Sequence, residues 1–443
     1  MSLVPSSAKL RAYVVVVAAA VLATLMIGGP AQAATPQAPG NFRGYGFDAC
    51  VAPEQAAMDQ WNLKSPFSAI GIYISGHSRY CGDAYQPNLS KEWVAKNAAN
   101  GWRFIPIHVG YQAPCFPVNK KSRVIKKTMS TTIATARKQA VSDAKESVAS
   151  AIKYGLGKGS TLYLDIEAYN RKNADCDNAT MQFVDAWTEQ LHAAGYLSGL
   201  YSSGSAAIVS IDKIRMANTP GFDLPDQIWN AWTNQEANTD GGPYLADDGW
   251  VQQRLHQYDN GLWITYGGYK LNIDKNFLDV GGKIRIPADA KPCKKADLTL
   301  ASYPTLKLGA KGAAVSTLQC LLKQRGLKKT VSGGFGVGTQ KAVNTYRASK
   351  GWSTSGVAGR GTWTALLSEG SKPRVLKYGS VGEPVFRLQR ALSAATGKAL
   401  KPTGFYNQKT VAAVKAYRKT NKISTYGTTE ATVWALLAAG NKG

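Results

Sequence analysis

Thr161–Asn170, TLYLDIEAYN, is the stretch on which the fold turns. Leu162, Leu164 and Ile166 alternate with Tyr163, Asp165 and Glu167. That is the period-2 pattern of a strand, and it puts both carboxylates on one face. The acids stand only at the carboxyl end of an otherwise apolar run. In a parallel α/β barrel that end carries the loops that build a site, so Asp165 and Glu167 are expected at a barrel mouth. The competing reading is a solvated strand end whose acids face water or pair with Lys or Arg.

Working outward, apolar strands and amphipathic helices alternate in both directions. Further strands are expected over residues 44–51, 69–75, 102–109, 196–201, 227–232, 255–258 and 272–278, and helices over 53–62, 90–100, 130–154 and 178–194. In the third of these helices Val141, Ala144, Val148 and Ile152 form one apolar stripe. Eight strands with helices between most of them, over about 250 residues, have the size and order of a (β/α)8 barrel of the α/β class. Residues 202–254 mark helices poorly, so those after the fifth and sixth strands are expected to be short or missing.

The full chain of 443 residues is too long for one ordinary domain. It opens with Lys9 and Arg11, an apolar run from Ala12 to Ile27, and Ala31-Gln32-Ala33, the order of a cleaved secretory signal peptide. No later stretch is apolar for long enough to span a membrane, so no membrane contact is expected after cleavage. Export makes Cys50, Cys81, Cys115, Cys176, Cys293 and Cys320 candidates for three disulfides. Cys293 and Cys320 lie together near the C-terminal part and are expected to pair, which would contribute roughly 3.5 kcal/mol. The other four allow three connectivities. Charge divides sharply along the chain. Residues 34–290 hold 25 Lys and Arg against 24 Asp and Glu, whereas residues 291–443 hold 26 against 4. The tail therefore points to a polyanionic partner, for an exported chain an anionic cell wall rather than nucleic acid; the alternative is that the positive charge only keeps the tail soluble.

The tail also repeats itself. PTLKLGAKGAAVSTLQCLL is answered by PRVLKYGSVGEPVFRLQRAL, with Gly309 against Gly379 and Gln319 against Gln389, an offset of 70 residues. Each copy has three short apolar stripes at helical spacing, led by Val315 and Leu318 in the first and Val385 and Leu388 in the second. The expected organisation is a signal peptide over 1–33, a barrel over 34–285, a linker over 286–302, and two small all-α three-helix units over 303–369 and 372–440.

The two copies resemble tandem peptidoglycan-binding domains. The pattern L-x-x-G-x-x-G-x-x-V-x-x-L-Q is carried by Leu306, Gly309, Gly312, Val315, Leu318 and Gln319. The second copy carries it on Leu376, Gly379, Gly382, Val385, Leu388 and Gln389. The resemblance implies binding of peptidoglycan or another anionic wall polymer, hence a secreted, extracellular or wall-associated location. The N-terminal part resembles the glycoside-hydrolase-like barrels of secreted actinobacterial proteins and is more distantly similar to family 25 lysozymes. Those lysozymes carry an Asp ending the first strand, D-x-E ending the fourth, Gln-Tyr ending the seventh and Asp-x-Asn on the eighth. Here these are Asp48, Asp165 with Glu167, Gln257 with Tyr258, and Asp274 with Asn276. After Asp48 the chain reads Ala49-Cys50, where the lysozymes continue Val-Ser.

The resemblance implies a muramidase-like glycoside hydrolase acting on a polysaccharide substrate, with Glu167 as general acid. Asp165 would orient or activate the 2-acetamido group or the incoming water, with Asp48 and Asp274 as further acids. Tyr73, Tyr201 and Trp232, at or beyond strand ends, are candidates to stack on sugar rings, with core packing as the alternative for each. His108, ending the third strand, is a candidate hydrogen-bond partner for substrate or a filler of the mouth. Gln257 and Tyr258 complete the candidate substrate contacts. His77, His108, His192 and His256 show no H-E-x-x-H or H-x-H spacing, so no metal or other cofactor is expected. The alternatives are a catalytically silent glycan-binding barrel held at the wall by the repeats, or a hydrolase of another polysaccharide.

Overall fold

The computed structural model describes residues 36–82, 86–117, 127–294 and 296–443. The expected signal peptide lies outside the described residues. The first part of the chain runs β1 (Phe42–Asp48), α1 (Gln55–Lys64), β2 (Phe67–Ser75), α2 (Lys91–Ala99), β3 (Arg103–His108), α3 (Ile133–Lys153), β4 (Thr161–Ile166) and α4 (Ala174–Ala193). It continues with β5 (Leu197–Ser203), α5 (Val209–Met216), β6 (Gln227–Ala231), β7 (Arg254–Tyr266) and β8 (Tyr269–Val280). The eight strands pair in sequence order and close into a barrel.

Local chemistry sets most of these boundaries. Ser90 caps α2 by accepting from the Trp93 N–H, and Asn173 caps α4 by accepting from the Cys176 N–H. Gly155, at φ 73°, follows the end of α3 in a conformation an L side chain resists. The odd-numbered positions of β4 point into the barrel: Tyr163 joins Ile105, Ile107, Trp229 and Leu255 in the interior core. Leu162, Leu164 and Ile166 face outward and pack in the larger core beneath the helices.

The barrel departs from an all-parallel one at its closing strand. β8 runs antiparallel to both β7 and β1. Only Gly267 and Gly268, at φ 62° and 89°, join β7 to β8. A crossover to a parallel strand needs a dozen residues or more, so a two-residue turn returns the chain as a hairpin. Of the two poorly marked helices, the first is the eight-residue α5 behind a kinked turn at Gly204–Ile208. Residues 232–253 form turns and loop without a helix.

The tail folds as two three-helix units, α6 (Ala313–Gln324), α7 (Val337–Ser349) and α8 (Arg360–Ser368), then α9 (Glu383–Thr396), α10 (Gln408–Thr420) and α11 (Ala431–Ala438). The repeated glutamine has the same work in each. Gln319 Nε2 donates to Gly334 O at 2.8 Å while its Oε1 accepts from the Ser332 and Gly333 N–H groups. Gln389 Nε2 donates to Phe405 O at 3.0 Å while its Oε1 accepts from Thr403 and Gly404. Disulfides join Cys50 to Cys81, Cys115 to Cys176 and Cys293 to Cys320.

The second unit packs on the barrel wall where β8, with no helix behind it, leaves the outer face of β1 and β8 uncovered. Tyr378 lies edge-on to Tyr45, 5.2 Å between centroids, and 5.9 Å from Phe277. One residue earlier, Lys377 is fully enclosed. Its Nζ donates to Asn62 O and Asn62 Oδ1, both at 3.0 Å, and to Phe67 O, and it lies 4.9 Å from the Trp102 ring centroid.

Candidate active site

β1 ends on Asp48, and in the β1–β8 register Asp48 stands opposite Asp274. Asp48 is 3 % exposed and is held by neutral donors. Asn276 Nδ2 donates to its Oδ2 at 2.7 Å, Gln257 Nε2 to the same oxygen at 3.4 Å, and the Tyr73 hydroxyl to Oδ1 at 3.3 Å. Room for this carboxylate comes from the neighbouring strand: a Cβ on Gly71 would sit 2.5 Å from Asp48 Cβ. Burial, and then the charge of Asp274, push the Asp48 pKa up to about 7.

Across the mouth, Asp165 is 5 % exposed and its Oδ1 is buried with no hydrogen-bond partner among the described residues. Burial first, then the charges of Glu167 and Asp48, raise its pKa well above the usual carboxylate range. Glu167, just past the end of β4, is half-buried; burial and then Asp274 raise its pKa too. Asp274 is raised by burial and by Asp259, against a 2.6 Å hydrogen bond from the Gly261 N–H that favours its ionised form. All four carboxyls act on the Tyr201 hydroxyl, which donates to Gln257 Oε1 at 3.0 Å. The cluster thus gathers Asp48, Asp165, Glu167 and Asp274 with Tyr73, Tyr201 and Gln257. Acids that raise one another's pKa values retain protons at pH values where an isolated carboxyl has lost its own, which is the condition for proton donation near neutral pH.

Two candidates face away from the mouth, and a third lies in the loop after β6. His108 is wholly buried on the outward face of β3, with Nδ1 2.8 Å from Ser75 Oγ and Nε2 3.2 Å from Asp143 Oδ2 of α3, and its ring against Trp187 of α4. Strand alternation explains it: Ile107 takes the inward position, so the next residue faces the helices. The same rule turns Tyr258 outward once Gln257 faces the mouth; its ring lies 6.2 Å from that of His256. Trp232 is stacked on His256, 28° between planes, and edge-on to Tyr244 in the loop after β6.

Two further residues build the site. Gln112, fully buried in the loop after β3, donates through Nε2 to Asp165 O at 2.9 Å and accepts through Oε1 from the Glu167 N–H at 2.7 Å. It therefore fixes the backbone on both sides of Ile166. Asn276 links Asp48 to the barrel core, since its Oδ1 accepts from Trp229 Nε1 at 2.8 Å. Asn276 was legible as the end of the Asp-x-Asn pair; Gln112 sits in a loop without periodicity, where no local pattern marks it.

Residues 59–278 match the family described as Rv2525c-like, glycoside hydrolase-like domain, and residues 311–366 match the putative peptidoglycan binding domain. No curated protein matches the chain. Among solved structures it is similar to the Tat-secreted protein Rv2525c of Mycobacterium tuberculosis. Identity there is 15%, over 54% of this chain and 96% of that one, with a TM-score of 0.36. It is also similar to the catalytic domain of endolysin ply40 from bacteriophage P40 of Listeria monocytogenes, at 16% identity over 53% and 93% of the two chains and a TM-score of 0.31. The SleB N-terminal domain is similar at 33% identity over 15% of this chain and 94% of its own, with a TM-score of 0.15.

Proposed function

Since the chain carries an Rv2525c-like glycoside hydrolase-like domain ahead of a peptidoglycan-binding domain, we propose that it is a secreted, wall-bound glycoside hydrolase that cleaves the glycan strands of peptidoglycan. The observation that carries this reading is the convergence of four carboxyls of raised pKa at the barrel mouth. Glu167, half-buried and so within reach of a bound glycan, gives its proton to the leaving glycosidic oxygen. Asp165, buried beside it with Oδ1 unpartnered among the described residues, orients the 2-acetamido group or the incoming water. Asp48 and Asp274 supply negative charge to the oxocarbenium-like transition state as they ionise. Tyr73 and Tyr201 line the same mouth, where their rings meet the sugar and their hydroxyls bridge to Asp48 and Gln257.

The test is release of reducing ends from purified peptidoglycan by the wild type and by Glu167→Gln. Loss of a general acid costs about 10²–10⁴-fold in rate, so the variant is expected to fall by that factor while its thermal midpoint is kept. Equal, background-level release by both proteins on peptidoglycan, chitin-like and α-glucan substrates would instead leave a silent glycan-binding barrel as the function.

A further inference from the structure

The seam between α1 and the second three-helix unit holds a cleft of about 980 Å³, whose lining shares no residue with the carboxyl cluster. Its basic lining comes from both sides: Lys64 at the last turn of α1, and Lys372, Arg374 and Lys422 from the unit. The same lining includes apolar surface, Leu63 from the barrel and Ile423, Tyr426 and Ala435 from the unit. The one acid in the lining, Glu430, is already satisfied: Oε1 takes Arg418 Nη1 at 2.6 Å and Oε2 takes the Thr432 N–H at 2.5 Å. Arg374 is drawn partly to Asp59 at 3.2 Å, whereas Lys64, Lys372 and Lys422 have no ion-pair partner among the described residues. A second cleft of about 330 Å³ shares Lys64 and Tyr426 with the first and adds Lys415, which lengthens the basic track along the seam.

We propose that this composite cleft is a second wall-binding site, which takes the carboxylate-bearing peptide branches of peptidoglycan. The cleft has the volume of a pocket for a small ligand, and lysines together with aliphatic and tyrosine surface in one lining suit a short peptide that carries both methyl groups and carboxylates. A bare phosphodiester polymer would use the charges and leave the apolar lining unused. Because Lys64 belongs to the barrel and the other cations to the unit, the site exists only while the two are packed together. The proposal rests on the peptidoglycan reading but not on catalysis.

The experiment compares the full chain with a Lys64→Ala/Lys372→Ala/Lys422→Ala variant and with a control that removes the same charge from the first unit, Lys323→Ala/Lys329→Ala/Lys341→Ala. Binding is measured by co-sedimentation with peptidoglycan stripped of phosphate polymers, with intact walls, and by competition with soluble stem peptides. The seam variant is expected to bind stripped peptidoglycan roughly tenfold more weakly than the control and to lose competition by stem peptides. Equal weakening in both variants would assign the effect to the general field of the tail and overturn the proposal. A loss confined to walls that keep their phosphate polymers would overturn it in favour of a phosphodiester ligand. If the wild type itself fails to bind stripped peptidoglycan, the peptidoglycan reading falls, and this site with it.

Discussion

At the scale of single residues, the mouth stores unfavourable charge. Asp48 illustrates the sign. Its pKa in the fold is about 7 against 3.8 for an ordinary aspartate, so between those values the native chain binds more protons than the unfolded one. Its contribution is therefore most favourable below pH 3.8 and becomes a growing penalty as pH rises through 7, at roughly 1.4 kcal/mol per pH unit across that window. Asp48→Asn removes the charge and keeps the shape. Its thermal midpoint is expected to exceed the wild type's by several degrees at pH 8 and to converge with it near pH 4, as followed by circular dichroism. A midpoint difference that does not depend on pH would contradict the burial of this charge. Asp48, Asp165, Glu167 and Asp274 were legible because each stands on or beside a strand whose alternation can be read. Gln112 was not, since its work is to bind the backbone at Asp165 and Glu167, a contact 53 and 55 residues away along the chain.

At the scale of elements, strand alternation decides which side chains reach the mouth, and the missing side chains matter as much as those present. Gly71 on β2 leaves space for Asp48, and Gly199 on β5 leaves space for Tyr163, whose ring carbon would lie 2.3 Å from a Cβ there. Gly71→Ala must displace either Asp48 or Ile107, because its Cβ would also lie 3.1 Å from Ile107 Cδ1. Overpacking of this kind costs about 1–3 kcal/mol, and here it moves a site carboxyl as well. The variant is expected to show a lower denaturant midpoint and a reduced reducing-end release; an unchanged midpoint would mean that the strand adjusts freely. The eight strands and the helices α1–α4 were readable from periodicity, most with ends shifted by a few residues, while β7 runs on to Tyr266, well beyond its expected end at Tyr258. Two features were not. The sense of β8 depends on a turn of two glycines, and the outward places of His108 and Tyr258 depend on strand phase near irregular pairing: the β2–β3 register shifts between Tyr73 and Ser75, and the β7–β8 register after Gln257.

At the scale of the whole molecule, the second three-helix unit takes over part of the covering work that helices do elsewhere around the barrel. Tyr378 covers Tyr45 and Phe277, the Thr428 hydroxyl donates to Leu63 O at 2.7 Å, and Lys377 fills a carbonyl-lined socket against Trp102. Burial lowers the Lys377 pKa from 10.5 to about 7. Between these values the unfolded chain binds more protons, so this group makes stability rise as pH climbs from about 7 toward 10. Lys377→Ala leaves three buried oxygens without their donor and is expected to lose about 2–4 kcal/mol. It should also flatten the rise of the thermal midpoint between pH 7 and 9, and speed proteolysis between the barrel and the first unit. A variant as stable as the wild type, with the same pH profile, would contradict the socket.

The sequence by itself determined the elements, the doubled tail, the basic charge of that tail and the strand ends on which four acids stand. These follow from local rules, namely side-chain periodicity, capping and repetition, which act within a few residues. Tertiary structure alone decided that the four acids converge and that their charges are desolvated together. It alone placed Gln112 behind two of them, turned His108 and Tyr258 away from the mouth, and seated the second unit against β1 and β8. Each of these depends on groups tens to hundreds of residues apart meeting in a low-dielectric interior, where burial, rather than residue type, sets a carboxyl's charge and a lysine's partners.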